Sequence, residues 1–219
     1  MDTNLARHLM VEAQVRTNKV IEPRFLDVLR SLPREQFIPH DKAALAYADN
    51  AVEMEKGRFL LSPMLLARLI ESAGLSAGVN LLHIGTLLGY TPLLCCLMGA
   101  LVTTVEASPN WAAPAQKLVK THSLPDTKIT LVQGTLAEGA AAYGQYDIIL
   151  IDAGVEVIPH ALIRQLKSTG RILAVEMLRD GYGRATEWRK NGDALSALPL
   201  FDAVAAVLPG FAKPPLFAL

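Results

Sequence analysis

The spacing of apolar residues changes near residue 79 of this 219-residue chain. Before that point Leu5, Leu9, Val11, Val15, Phe25, Val28 and Leu29 recur at helix-like intervals over residues 3–31. Glu22-Pro23 and Leu32-Pro33 punctuate that segment. Residues 32–61 carry mixed signals, with Pro39, Tyr47 and Gly57, and read as loops with short elements. Ser62 followed by Pro63 predicts a capped helix over residues 63–73. After residue 79, short apolar runs at 80–84, 101–106, 128–133, 146–151 and 171–176 predict strands. Helical stretches at 91–98, 111–121 and 159–166 separate them, the last closing near Gly170. The run Tyr146-Asp147-Ile148-Ile149-Leu150-Ile151 is nearly all apolar, as in a strand buried on both faces of a parallel sheet. Two tail runs, 201–207 and 214–219, read as an antiparallel edge pair. The alternation predicts an α/β fold with a doubly wound, mostly parallel sheet over 79–219. Residues 1–78 form a helical N-terminal extension ending in a loop, within one compact unit.

Composition narrows the functional classes. Hydrophobic residues make up 51% of the chain, enough for a large core and too much for disorder. The formal net charge is zero, which gives no sign of a nucleic-acid or anionic-membrane partner. Cys95 and Cys96 are adjacent in an apolar helical run, so they face different directions and read as buried thiols, not a metal or redox pair. Neither a secretory leader nor an uninterrupted membrane-length apolar run is evident, and a cytoplasmic location is the default expectation.

The chemistry concentrates at Leu81-Leu82-His83-Ile84-Gly85-Thr86-Leu87-Leu88-Gly89-Tyr90, with Glu106 following 21 residues after Gly85. Strand, glycine turn, helix, second strand and carboxylate form the front half of a nucleotide-type site, where the acid grips a ribose diol. A dinucleotide turn would need glycines at Leu87 and Tyr90, so the register disfavours an oxidoreductase. The G-x-G-x-G form used for S-adenosylmethionine matches at Gly85 and Gly89 and fails only at Leu87. Thr86, Leu87 and Tyr90 complete that turn. Thr135 and Leu136 follow the third strand, where an adenine edge would lie. Asp152 ends the fourth strand at the sheet's carboxyl edge, as a ligand contact or as a loop anchor. His83, inside the first strand, reads as a packed histidine and not as a base.

Several stretches in the right order make the chain resemble the protein-L-isoaspartate O-methyltransferase family. Pro33-Arg34-Glu35-Gln36-Phe37-Ile38-Pro39 is similar to its P-R-E-x-F-V-P segment, and Ala46-Tyr47-Ala48-Asp49 to its A-Y-x-D. Residues 57–63 lie at its G-Q-T-I-S-Q-P stretch and residues 84–90 at its I-G-T-G-S-G-Y. Tyr146-Asp147, Gln165-Leu166 and Gly170-Arg171 follow its P-Y-D … Q-L … G-G-R pattern. The resemblance implies a Rossmann-like fold and S-adenosylmethionine as cofactor. It also implies methyl transfer to the side-chain carboxylate of isoaspartyl residues in damaged proteins. Gly85, Thr86, Leu87, Gly89, Tyr90, Glu106, Thr135, Leu136 and Asp152 are then the cofactor-site residues.

The departures fall on the same site. Leu61 stands at the family's substrate-contacting serine, and the neighbouring Ser62 is the remaining hydroxyl, a catalytic candidate or simply a helix cap. Leu87 and Leu88 replace Gly and Ser, and a leucine at 87 can fill the methionine volume. Thr135 replaces an aspartate found in many members. Arg58 adds a cation, either for a substrate carboxylate or for a surface acid. Two classes of function follow: an active methyltransferase, on isoaspartyl protein or another acceptor, and a family-derived binding or structural protein without catalysis.

Overall fold

A computed structural model describes residues 2–125, 127–178 and 181–214. The N-terminal helical segment is broken into pieces. Helix α1 (Thr3–Leu9) is capped by the Asp2 carboxylate. It runs into one π-type turn over Met10–Val15 and a 3₁₀ turn over Arg16–Asn18. Helix α2 (Pro23–Ser31) starts at Glu22-Pro23 and buries Phe25, Leu26 and Leu29. Residues 32–61 form two 3₁₀ turns and a small hairpin, β1 (Val52–Glu55) with β2 (Arg58–Leu60). Helix α3 (Pro63–Ala73) has the expected bounds.

The remaining elements are β3 (Asn80–Ile84), α4 (Tyr90–Leu97), β4 (Leu101–Glu106), α5 (Pro109–His122) and β5 (Ile129–Gln133). They continue with β6 (Tyr146–Val155), α6 (His160–Arg164), β7 (Leu166–Met177), β8 (Gly183–Asn191) and β9 (Ala194–Asp202). The seven-stranded sheet has order β5-β4-β3-β6-β7-β8-β9. Its first five strands are parallel and the last two antiparallel, so the doubly wound expectation holds. The chain builds outward from β3 to β5 and then returns to place β6 beside β3. That reversal opens a crevice at the carboxyl ends of β3 and β6, the usual ligand position in such sheets. The largely apolar central strands sit between two hydrophobic clusters, one on each face. Residues of the N-terminal helices and of the sheet share the larger cluster.

Two expectations are corrected at the C-terminal side. The predicted helix over 159–166 shrinks to His160–Arg164, and 166–170 joins β7. Leu166 pairs with Tyr146, and this long-range pairing overrides the local pattern. The edge pair is β8 with β9, and not 201–207 with 214–219. Val207 instead makes a single parallel bridge to Gly154, and residues 215–219 lie outside the described residues. The outer strand β9 is largely exposed and carries Pro199, which suits an edge. Cys95 and Cys96 are buried and free, and burial pushes both thiols up.

Gly89 caps α4 in a left-handed conformation, φ +91°. A Cβ there would stand 2.8 Å from Val119 Cγ2 on α5. Its missing side chain thus lets two helices approach closely. Gly89→Ala adds left-handed strain of roughly 1–2 kcal/mol to that overlap. We expect denaturant unfolding to show a loss of about 2–3 kcal/mol; a loss under about 0.5 kcal/mol contradicts the close-packing role.

Candidate functional site

The site is built by three loops at the carboxyl ends of β3, β4 and β5, with the β1–β2 hairpin laid over them. Gly85 follows β3 at φ +93°, which a side chain rarely adopts. Its amide and that of Thr86 donate to Val105 O at 3.0 and 3.2 Å, which pins the turn to β4. Leu87 then takes φ +50°, in the left-handed region. That costs roughly 1–2 kcal/mol for a leucine. Burying its side chain in the larger cluster returns about 1.5–3 kcal/mol, which is why the strain is tolerated. The same conformation turns the Leu87 amide to Glu106 Oε2, 2.7 Å away. Leu87 therefore packs into the core and does not line the cleft beside Glu106.

Glu106, the last residue of β4, is fully buried and makes four hydrogen bonds. Arg58 Nη1 donates to Oε1 at 2.8 Å and Nη2 to Oε2 at 3.0 Å. The Ser108 amide donates to Oε1 at 2.8 Å, and the Leu87 amide completes Oε2. Arg58 comes from the start of β2, is 5% exposed, and has Glu55 Oε1 at 3.3 Å as a second acceptor. Arg58 was expected to meet a substrate carboxylate or a surface acid. It instead grips the buried Glu106 carboxylate.

Burial pushes the Glu106 carboxyl up, but the bonds from Arg58, Ser108 and Leu87 outweigh it and hold the group below the ordinary glutamate range. Burial likewise lowers Arg58, and Glu106 more than reverses it. A depressed folded-state value stabilises the fold above the unfolded value, about 4.3 for glutamate. That stability is lost as pH falls from there through the folded value. Denaturation between pH 3 and 7 should therefore show wild type losing more stability below about pH 4 than Glu106→Gln. Parallel acid profiles would remove Glu106 as a source of acid sensitivity.

The other expected site residues separate into two groups. Thr135 and Leu136 line an open cleft of 810 Å3 with Arg58, Ser108, Gly134 and Gly210, next to Glu106. Asp152, Thr86 and Tyr90 face inward instead. Asp152 accepts from Thr91 Oγ1 at 2.6 Å and lies 3.0 Å from His83 Nε2. His83 Nδ1 meets Thr104 Oγ1 at 2.9 Å, and that hydroxyl meets Thr86 Oγ1 at 2.6 Å. This buried chain ties β3, β4, β6 and α4 together beneath the turn. Asp152 thus links β6 to β3 and α4, and His83 is a packed histidine as read. The sequence offered no signal for the pairing of His83 with Asp152, 69 residues apart.

On the other side of the hairpin lies a smaller apolar cavity of 190 Å3, lined by Phe59, Leu61, Ala153, Val204, Ala206 and Leu208. Ser62 is not among its lining residues. Its hydroxyl accepts from the Leu65 amide at 3.4 Å, at the start of α3. The structure thus places the catalytic candidate as a helix cap. Arg34 supports this loop from below. Fully buried, it donates to Ala46 O (2.8 Å) and Leu61 O (2.5 Å) and lies 5.1 Å from the Tyr90 ring centroid. Two further clefts, of 530 and 630 Å3, border α2 away from the glycine turn. Among the described residues, no cluster of three or more His, Cys, Asp or Glu is placed to hold a metal ion, and no helix is long and apolar enough to cross a membrane.

S-adenosylmethionine can be tested against this geometry. The backbone fits it: Gly85 has no Cβ on the face where Arg58 Nη2 lies, Glu106 ends β4, and the cleft continues past Ser108 to Thr135 and Leu136. The Arg58 side chain lies on the Glu106 carboxylate, beside the Leu87 and Ser108 amides.

Comparison with known proteins agrees with this frame. The sequence pattern of the family described as protein-L-isoaspartate(D-aspartate) O-methyltransferase (PCMT) matches residues 5–201. The chain is 31% identical over 169 residues to the protein-L-isoaspartate O-methyltransferase of Koribacter versatilis, covering 77% of this chain and 75% of that one. It is 33% identical over 164 residues to the enzyme of that name from Rhodopseudomonas palustris, covering 75% and 74%. One solved protein-L-isoaspartate O-methyltransferase superposes with a TM-score of 0.77 at 22% identity, over 93% of this chain and 66% of the other. A candidate Plasmodium falciparum protein-L-isoaspartate O-methyltransferase, solved with S-adenosyl-L-homocysteine, gives 0.75 at 17% identity, over 92% and 97%.

Proposed function

Because the chain belongs to the protein-L-isoaspartate(D-aspartate) O-methyltransferase family, we propose that it transfers a methyl group from S-adenosylmethionine to a side-chain carboxylate, that of an isoaspartyl residue in a damaged protein. The observation that carries the reading is Glu106 at the end of β4 beside the Gly85 turn, in a fold that superposes on this family over most of its length. The cofactor, when bound, supplies a methyl already activated on a sulfonium. The protein's task is then to bind, align and exclude water, with no metal and no strong base. Glu106 would take the ribose hydroxyls, and the cleft at Thr135 and Leu136 would take the adenine. The apolar cavity behind Phe59 and Leu61 would receive the acceptor. Isoaspartyl peptides and proteins are the proposed partners, in the cytoplasm.

The test is transfer of labelled methyl from S-adenosylmethionine to a peptide carrying one isoaspartate, beside the same peptide with aspartate. We expect base-labile label on the isoaspartyl peptide alone. Label on neither, at millimolar cofactor, contradicts the proposed catalysis. The second reading, a family member without catalysis, is favoured by Leu61 in place of a substrate-contacting serine, and such a null result would select it.

A further inference from the structure

We infer that Arg58 is an internal occupant of the cofactor's ribose position, a latch that must release Glu106 before S-adenosylmethionine can bind. The inference rests on the methyltransferase reading of this site. A carboxylate offers about four acceptor positions. In Glu106 all four are taken: each oxygen receives one Arg58 nitrogen and one backbone amide. The two guanidinium nitrogens present paired donors to the carboxylate, the same pattern that a ribose diol presents. A diol therefore has no vacant acceptor on Glu106 while Arg58 stays.

The clearance is occupied as well. Arg58 Nη2 lies 3.3 Å from the position a Cβ on Gly85 would take, so the guanidinium sits on the face that the glycine leaves open. The pairing is shielded: Arg58 is 5% exposed and Glu106 fully buried. A release route also exists. Arg58 borders the 810 Å3 cleft, and Glu55, on the same hairpin, already accepts from Nη1 at 3.3 Å. Rotation toward Glu55 keeps the guanidinium paired while freeing Glu106. The carrier is a two-stranded hairpin of four and three residues outside the main sheet, a unit with little stability of its own.

A site open for only a fraction of the time binds its ligand more weakly by that fraction. A latch closed 90–99% of the time thus lowers apparent affinity about tenfold to a hundredfold. The experiment is calorimetric titration of S-adenosylhomocysteine into wild type, Arg58→Ala and Arg58→Gln, each checked for folding by its melting transition. The glutamine variant keeps most of the side-chain volume should the alanine variant unfold. We expect at least tenfold tighter binding in the folded variants, including the case where only the variants bind. Equal or weaker binding in the variants, with wild type binding measurably, overturns the latch and leaves the methyltransferase reading standing. Binding in none of the three overturns both.

Discussion

Glu106→Ala should lose about 3–5 kcal/mol of folding stability, the usual result of removing one partner from a buried ion pair. Arg58 would keep its charge in a position 5% exposed, with its two strongest acceptors gone. The Leu87 and Ser108 amides would lose their acceptor too, and Leu87 would keep a left-handed backbone without that compensation. At roughly 2–4 °C per kcal/mol for a chain of this size, the melting temperature should fall by about 6–20 °C. The double variant Arg58→Met/Glu106→Leu should recover much of that loss, because an apolar pair leaves no unpaired charge. If Glu106→Ala costs less than about 1 kcal/mol, the pair is effectively solvated and the account of it as a buried contact is wrong.

The second large effect is expected at Gly154, where β6 meets the segment that walls the cavity proposed for the acceptor. The Gly154 amide donates to Ala206 O at 2.8 Å, and the Leu208 amide donates to Gly154 O at 2.9 Å. A Cβ here would stand 2.6 Å from Ala205 O and 2.8 Å from Ala206 O, both backbone atoms. Ordinary contact begins at 3.4 Å, so Gly154→Ala must push this segment outward by a large part of an ångström. Overpacking of this kind costs about 1–3 kcal/mol. Val204, Ala206 and Leu208 line the cavity, so the displacement reaches the proposed acceptor position directly. Misplacement on that scale lowers methyl transfer by about a hundredfold. Steady-state methylation of an isoaspartyl peptide should show it in kcat/KM, with cofactor affinity changed far less. An unchanged kcat/KM means that this wall does not position the acceptor.

The parts of the fold that were legible in the sequence are those whose signals are local. Ser62-Pro63 marked the start of α3, and β3 and β4 have the expected bounds because their apolar runs end in glycine or a charge. Where long-range pairing decided, the sequence misled: the helical pattern runs to Leu166, yet Leu166 joins β7 through Tyr146. The family-like stretches gain a physical meaning in three dimensions. Arg34, Ala46, Leu61 and Tyr90 come from four separate motifs and meet around one buried guanidinium.

The site was legible in outline only. Residue type and spacing picked out Gly85 and Glu106, and the fold sets them side by side. Leu87 drew attention as a blocking side chain, but backbone angles decide where it points, and φ +50° sends it into the core. Arg58 lies 48 residues from Glu106 in sequence, so no local pattern announces their pairing. Asp152 follows the apolar run 146–151, and its residue type alone fits a ligand contact and an anchor equally. Its partners, Thr91 and His83, become visible only once α4 and β3 are packed.

The most direct test is a crystal structure of the protein grown with saturating S-adenosylhomocysteine, beside one grown without it. The account predicts the Arg58–Glu106 pair intact without ligand. With ligand, both ribose hydroxyls should lie within hydrogen-bond distance of Glu106, and Arg58 should have moved off toward Glu55. Ligand bound elsewhere, with Arg58 still on both oxygens of Glu106, would contradict it.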